Sequence, residues 1–474
     1  MPSFMNPDDI RSIFASAMSR MYRKEVPLYG DLMDLVRDVN AETLSGNEPL
    51  SNQLASTGEL GRIDDERHGA IRVGTAGELA GIRRMFAVMG MFPVGYYDLS
   101  VAGIPVHSTA FRPTTQSALA RNPFRVFTSL LRLDLLEDRA LAEQCSKILS
   151  GRKIFTDEAL ALTAQAEAEG GLTEPDARHF VAEALETFRW HSSATIDLDT
   201  YVQLHDAHRL IADVVSFRSP HINHLTPRTL DIDAVQKGMP DRGIAPKAVI
   251  EGPPTRNAPI LLRQTSFKAL EETVSFVSDS GAVEGNHTAR FGEIEQRGAA
   301  LKPAGRVLYD QCLAATRAAV RIGAQGENAA DYMAALVENF RHFPDTYDEM
   351  RRQDLAFFRY RPVAAGPIAD RFDSVDSLIV AGHLAADPQT YEDFLPVSAA
   401  GIFQSNLGSD AQNTFTQSAN QAAFEDALGV KVADEMMLYK ETEEESLHQA
   451  LSHLGQTHLL SAAEHGVTGP SVHI

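Results

Sequence analysis

The chain has 474 residues, 43 basic and 64 acidic, for a formal net charge of −21. A hydrophobic share of 44% supports a sizeable core and excludes a disordered, fibrous or collagen-like polymer. The acidic balance argues against nucleic acid and anionic membrane surfaces as partners, yet local arginines can still hold a small anion because distant charge is screened by salt.

Residues 1–60 read as a helical N-terminal part. Asn6-Pro7-Asp8 is a helix start signal, and Leu28, Leu32, Leu35, Val36 and Val39 recur at helical spacing. The polar, Gly/Ser-containing stretch 45–60 predicts a loop. Residues 61–131 predict a β-α-β-β-β unit. A strand over 68–73 is closed by Gly74-Thr75, and Thr75 caps a helix carrying Leu79, Ile82, Met85, Phe86 and Met89. Strands follow over 93–99, 105–111 and 124–131. Residues 132–218 predict a helical insertion, broken at Gly151, at Gly170-Gly171 and near Trp190-His191. The β-α-β-β-β order then recurs over 219–300, with strands at 222–226, 247–251, 260–268 and 287–296 and a helix at 231–237. The recurrence is one of order, with no sequence identity between the units. Residues 301–465 predict a helical C-terminal part, with helices over 306–322, 328–341, 344–356 and 409–464, and 466–474 a frayed tail. The fold class is therefore α+β, and the chain (1–474) reads as a single elaborated domain.

The two cysteines, Cys145 and Cys312, form no C-x-x-C pair, so neither a disulfide scaffold nor a zinc finger is predicted. The N-terminus MPSFMNPDDIRSIFASAM lacks the charged, apolar and cleavage regions of a signal peptide. No apolar run approaches the ~18 residues of a membrane span. The expectation is a soluble cytoplasmic protein.

Sixteen histidines need weighing against their neighbours. His68, Ala70 and Arg72 share one face of a predicted strand, with roughly 13 Å between the first and last backbones. That gap fits a small molecule between a metal on His68 and the guanidinium of Arg72. A solvent-facing half of an amphipathic strand would carry the same residues. In His221-Ile222-Asn223-His224 the two histidines fall on opposite strand faces, so one metal would take only one of them. Glu293 and Glu295 share a face in an unusually charged strand. A carboxylate pointing inward needs a partner, because an unpaired buried charge is costly. A solvated edge strand with Glu–Arg pairs is the competing arrangement. Two histidines and one carboxylate without a thiolate suit a metal with three open positions, the facial triad of non-haem Fe(II) oxygenases. Zinc tolerates the same donors. No phosphate-binding loop, dinucleotide fingerprint or G-x-S-x-G elbow is present.

The stretches ERHGAIRVGT (66–75), MGMFPVGYYDLS (89–100), PHINHLTPRTLDIDAVQ (220–236), EGPPTR (251–256), HTARFGEIEQRGAAL (287–301) and YEDFLPVSAAGIFQSNLG (391–408) closely resemble the bacterial 2-oxoadipate dioxygenase/decarboxylase family. The resemblance runs from about residue 8 to about residue 440. It implies a vicinal-oxygen-chelate-like central β-sheet or partial barrel, elaborated by many helices, around one Fe(II). It implies iron held by His68, His224 and Glu293, with Arg72 on a substrate carboxylate. Val397 and Ser398 would border the same pocket, so the substrate would meet His68, Arg72, His224, Val397 and Ser398. The implied partners are a 2-oxo dicarboxylic acid and O2, and the implied product is D-2-hydroxyglutarate, made in lysine catabolism. The predicted last strand of the first unit, 124–131, contains no carboxylate, which favours three protein ligands over the four of a glyoxalase-type site. The competing readings are a zinc-dependent isomerase or hydrolase on the same scaffold, a non-catalytic small-ligand-binding protein, and a purely structural helical protein.

Overall fold

A computed structural model describes residues 3–267, 269–279, 281–320, 327–395 and 419–460. The Asn6 side chain accepts from the backbone N–H of Asp8, and Pro7 fills the first turn, so α1 (Pro7–Glu25) begins at the predicted signal. Pro27 opens α2 (Pro27–Gly46). The predicted loop at 45–60 is instead mostly helical: Asn47 caps α3 (Glu48–Thr57), and Gly58 closes it at φ 78°. Only Leu54 is buried along α3, so there is no apolar stripe to read.

The first β-rich segment follows the expected order. It runs β1 (Arg67–Val73), α4 (Ala76–Val88), β2 (Phe92–Asp98), β3 (Val106–Arg112), an unpredicted short helix α5 (Gln116–Arg121), and β4 (Arg125–Leu131). The Thr75 hydroxyl accepts from Glu78 N, as its position before α4 requires. The insertion contains α6 (Arg139–Ser150), α7 (Asp157–Glu169), α8 (Glu174–Glu186), an unpredicted strand β5 (Ser193–Asp197), α9 (Leu198–Ala207) and α10 (Arg209–Ser216).

The second β-rich segment departs further from expectation. It contains β6 (His224–Pro227), α11 (Ile232–Gly238), β7 (Leu262–Ser266), β8 (Glu272–Val277), β9 (Val283–His287) and β10 (Glu293–Arg297). The predicted strand at 247–251 reduces to isolated bridges, Pro246 to Phe267 and Glu251 to Gln264. The predicted strand at 287–296 divides, its first residue ending β9 and its last four lying in β10. The hairpin β8–β9 leaves the main sheet and joins β5.

The central sheet has the order β2-β3-β4-β1-β6, with β1 parallel to β4 and antiparallel to β6. A parallel bridge from Arg228 to Glu295 attaches the antiparallel pair β10-β7 beyond β6. Ile71 and Val73 enter a core shared with α1, α2, α4 and α8, while Ala70 enters another with α6, α9 and α10. Both faces of β1 are thus covered, and the strand is buried along its whole length.

The C-terminal part holds α12 (Pro303–Ala319), α13 (Ala329–Asn339), α14 (Tyr347–Arg352), β11 (Phe358–Pro362), α15 (Val375–Val380), β12 (Leu384–Pro388), α16 (Ala419–Leu428) and α17 (Glu435–His453). The antiparallel pair β11–β12 was not expected. The helix expected over 409–464 is two helices, interrupted after Leu428 by Gly429 at φ 78°. Residues 409–418 and 461–464 of that prediction, and the tail 466–474, lie outside the described residues.

Candidate metal centre

Because β1 is covered on both faces, the face carrying His68, Ala70 and Arg72 points into protein and not into solvent. His68 is fully buried and Arg72 is 8% exposed. The antiparallel register sets Ala70 opposite His224, and His68 opposite Thr226. Gly69 makes this pairing possible: a Cβ there would lie 2.6 Å from Ile222 Cδ1 and 3.4 Å from the carbonyl oxygen of His224. The parallel bridge from Arg228 to Glu295 then brings the start of β10, Glu293, level with Thr226 in β6.

Three donor atoms from three strands converge. Glu293 Oε2 lies 3.1 Å from His68 Nε2 and 3.4 Å from His224 Nε2, and the three ligand atoms all fall within 4.8 Å of one another. At metal–donor distances of about 2.1 Å, two donors at right angles stand about 3.0 Å apart and two at the tetrahedral angle about 3.4 Å apart. The spacings therefore suit donors around one ion. Satisfaction points the same way. Both ring nitrogens of His224 and Oε1 of Glu293 are buried with no hydrogen-bond partner among the described residues. Orphaned buried polar atoms of this kind are expensive unless something else occupies them. A cation coordinated by the three residues would satisfy His224 Nε2 and the Glu293 carboxylate together. His68, His224 and Glu293 could thus hold a metal ion.

The surroundings favour such a role. Burial, with His68 and Arg72 nearby, holds the His224 imidazole well below its usual pKa, so it stays neutral and keeps a lone pair to donate. The Thr226 hydroxyl donates to Glu293 Oε2 at 2.9 Å. Glu295 Oε2 approaches the other side of the His68 ring, 2.9 Å from Nδ1. A carboxylate this close to the far nitrogen of a metal-ligating histidine can orient its ring. Burial pushes the Glu295 carboxyl up, but Arg297, His68 and Arg125 outweigh it and bring it down to about 2. Arg297 grips Glu295 through Nε and Nη2 at 2.7 and 2.9 Å. The two glutamates, which the sequence could not separate, divide by geometry: Glu293 shares its oxygen with both imidazole Nε2 atoms, whereas Glu295 sits behind His68. Both expected arrangements are present in one strand, an inward carboxylate and a Glu–Arg pair, and neither is solvated.

Arg125 extends this layer. It contacts Glu66, Glu295 and Glu392, all buried. Glu392 and Asp393, which pairs with Arg112 at 2.7 Å, anchor the start of the YEDFLPVSAAG segment. Phe394 then packs edge-on against His68, with ring centroids 4.9 Å apart, and Phe291 lies 4.8 Å from His224. These rings flank the imidazoles and do not stand between the converging donor atoms. Val397 and Ser398 lie outside the described residues.

Arg72 donates through Nη1 to Asp213 Oδ2 at 2.7 Å. Asp213 is the centre of a second buried group, with His221 and His287. His221, the other histidine of the H-x-x-H pair, is therefore directed away from the triad and toward Asp213, 3.3 Å from its Oδ1. Asp213, His287 and Tyr201 were missed in the sequence. One signal was available: Asp213 is the lone acid in the apolar run Leu210-Ile211-Ala212-Asp213-Val214-Val215, all buried.

A family model described as 2-oxoadipate dioxygenase/decarboxylase matches residues 14–406. A Pseudomonas putida protein named 2-oxoadipate dioxygenase/decarboxylase is 59% identical over 448 residues, covering 94% of this chain and 96% of its own. An Escherichia coli K12 protein of the same name is 56% identical over 450 residues, covering 94% and 98%. The crystal structure of hydroxyglutarate synthase from Pseudomonas putida in complex with 2-oxoadipate superposes with a TM-score of 0.89 at 56% identity, covering 96% of this chain and all of that one.

Proposed function

The chain belongs to the 2-oxoadipate dioxygenase/decarboxylase family, and from that premise we propose that it converts 2-oxoadipate and O2 into 2-hydroxyglutarate and CO2 at an Fe(II) ion held by His68, His224 and Glu293. On this reading the product is the D enantiomer, formed in lysine catabolism by a cytoplasmic enzyme whose central sheet is vicinal-oxygen-chelate-like. Among the described residues no helix is long and apolar enough to cross a membrane. The site draws His68 from 61–131 and His224 and Glu293 from 219–300, in keeping with one catalytic unit.

The observation that carries this reading is the convergence of His68 Nε2, His224 Nε2 and Glu293 Oε2, with buried valences left open, four residues along β1 from Arg72. Bound there, Fe(II) would supply Lewis acidity toward the 2-oxo acid and reducing electrons for O2. In the balanced reaction C1 leaves as CO2. One oxygen atom enters the new carboxylate and the other becomes the 2-hydroxyl group. The protein's part is positional. Arg72 pairs with the distal carboxylate through a planar fork that lysine cannot reproduce. Thr226 holds Glu293, and Glu295 holds the His68 ring. Phe394 and Phe291 cover the imidazoles and restrict water.

Anaerobic reconstitution with Fe(II), followed by oxygen uptake against 2-oxo acids of different chain length, tests the proposal. Uptake and CO2 release should be greatest with 2-oxoadipate. Equal activity of the zinc-loaded protein without oxygen uptake would replace it with the zinc isomerase or hydrolase reading.

A further inference from the structure

Asp213, on α10, is surrounded by donors from three separate segments. Its Oδ2 receives Arg72 Nη1 from β1 at 2.7 Å and faces Asn223 Nδ2 at 3.5 Å. Its Oδ1 lies 3.1 Å from His287 Nε2 at the end of β9, and 3.3 Å from His221 Nε2 in the segment before β6. A carboxylate oxygen accepts, so His287 carries its proton on Nε2. Its bare Nδ1 then accepts the Tyr201 hydroxyl from α9, 2.9 Å away. Tyr201 therefore fixes the tautomer of His287. Arg72, Asp213, His221, Asn223, His287 and Tyr201 are all buried. This group has the composition of a metal site. Yet its carboxylate already serves a guanidinium, and a cation bound among the three residues would sit beside that positive charge.

We propose that Asp213, held by His221 and by the His287–Tyr201 pair, is a positioning residue that aims the Arg72 guanidinium and so makes the enzyme prefer a 2-oxo acid with a distal carboxylate. The inference rests on the proposed role of Arg72. A long, flexible arginine side chain loses much rotamer freedom on binding an anion, and a buried carboxylate that has already fixed one edge of the fork removes part of that cost before substrate arrives.

The test compares the iron-loaded full chain on 2-oxoadipate and on 2-oxohexanoate, which lacks the distal carboxylate. Asp213→Asn should raise KM for 2-oxoadipate by on the order of tenfold while kcat falls less, and should leave KM for 2-oxohexanoate almost unchanged. His287→Leu should shift the same ratio in the same direction, and His287→Gln, which keeps a donor near the Nε2 position, should restore it. The histidine pair decides the matter if Asp213→Asn does not fold. Arg72→Met is the control for the premise. Loss of diacid preference in Arg72→Met with an unchanged ratio in the Asp213 and His287 variants overturns the positioning role alone. Retained preference in Arg72→Met overturns the reading of Arg72 and this inference with it. Two metal equivalents per wild-type chain, one lost in Asp213→Asn, would overturn it in favour of a second metal site.

Discussion

Two groups of one carboxylate and two histidines lie in the interior of this protein, and they differ in how their hydrogen-bonding capacity is met. In His68–His224–Glu293, four buried ring or carboxylate atoms (His68 Nδ1, both His224 nitrogens and Glu293 Oε1) make no hydrogen bond among the described residues. In Asp213–His221–His287, the carboxylate is shared by Arg72, both histidines and Asn223, and His287 is tied to Tyr201. Residue type alone makes the two groups equivalent. On the proposed reading, the open valences make the first a metal site, and the closed ones make the second a scaffold for the arginine between them. A buried polar group gains stability when satisfied and loses it when left open, so the two sites should respond oppositely to the same perturbations.

The largest expected contrast is in metal content. His224→Ala should lose bound iron, whereas His221→Ala should retain about one ion per chain, since metal affinity depends on the ligands and not on nearby histidines. Elemental analysis after anaerobic loading measures both, and full occupancy in His224→Ala would give the ligand role to His221. Next is Arg72→Lys, which should keep its iron and lose most of its activity, on the order of a hundredfold in kcat/KM, as expected when a fork becomes a point charge. Near-normal turnover by that variant would remove Arg72 from substrate binding. Glu295→Gln should weaken iron binding by roughly ten- to a hundredfold, because it alters the group that orients His68 and not a ligand itself. Complete loss of iron in that variant would make Glu295 a ligand in place of Glu293.

Stability gives a subtler contrast. In metal-free protein, His224→Leu should cost less than about 1 kcal/mol, because it removes polar atoms that were unsatisfied, whereas Asp213→Leu should cost about 3–5 kcal/mol by leaving Arg72 buried without its carboxylate. Urea unfolding in the presence of a chelator measures both, and equal costs would erase the distinction. The smallest effect is the pH dependence of that Asp213 contribution. Burial pushes its carboxyl up, but His221, His287 and Arg72 outweigh burial and hold it well below the ordinary range. The stabilisation should therefore be fully present above the unfolded-state pKa of about 3.9, and should be lost as pH falls through the lower folded value. A wild-type minus Asp213→Asn stability difference that grew on acidification would contradict it.

How much of this was legible in the sequence follows from which signals are local. The spacing of His68 and Arg72 on a strand is local, and so are the Thr75 cap and the first succession of strands. The choice of His224 over His221 is not, because both are buried and only the approach of β10 distinguishes them. The same holds for Glu293 and Glu295. The strand β8 carried a readable alternation, with Val274 and Phe276 buried between more exposed neighbours, but β9 is almost wholly exposed apart from His287 and gives no pattern. The expected strand at 247–251 failed because that stretch pairs only at its ends. The Asp213 group joins residues from a helix, a loop and a strand end, so no spacing rule could have found it.

The central claim is that iron sits among His68, His224 and Glu293 and nowhere else in the chain. An anomalous difference map collected at the iron absorption edge, from crystals grown anaerobically with Fe(II), tests it directly. One peak touching His68 Nε2, His224 Nε2 and a Glu293 oxygen is the predicted result. A peak among Asp213, His221 and His287, or none between the two ring nitrogens of His68 and His224, would contradict it.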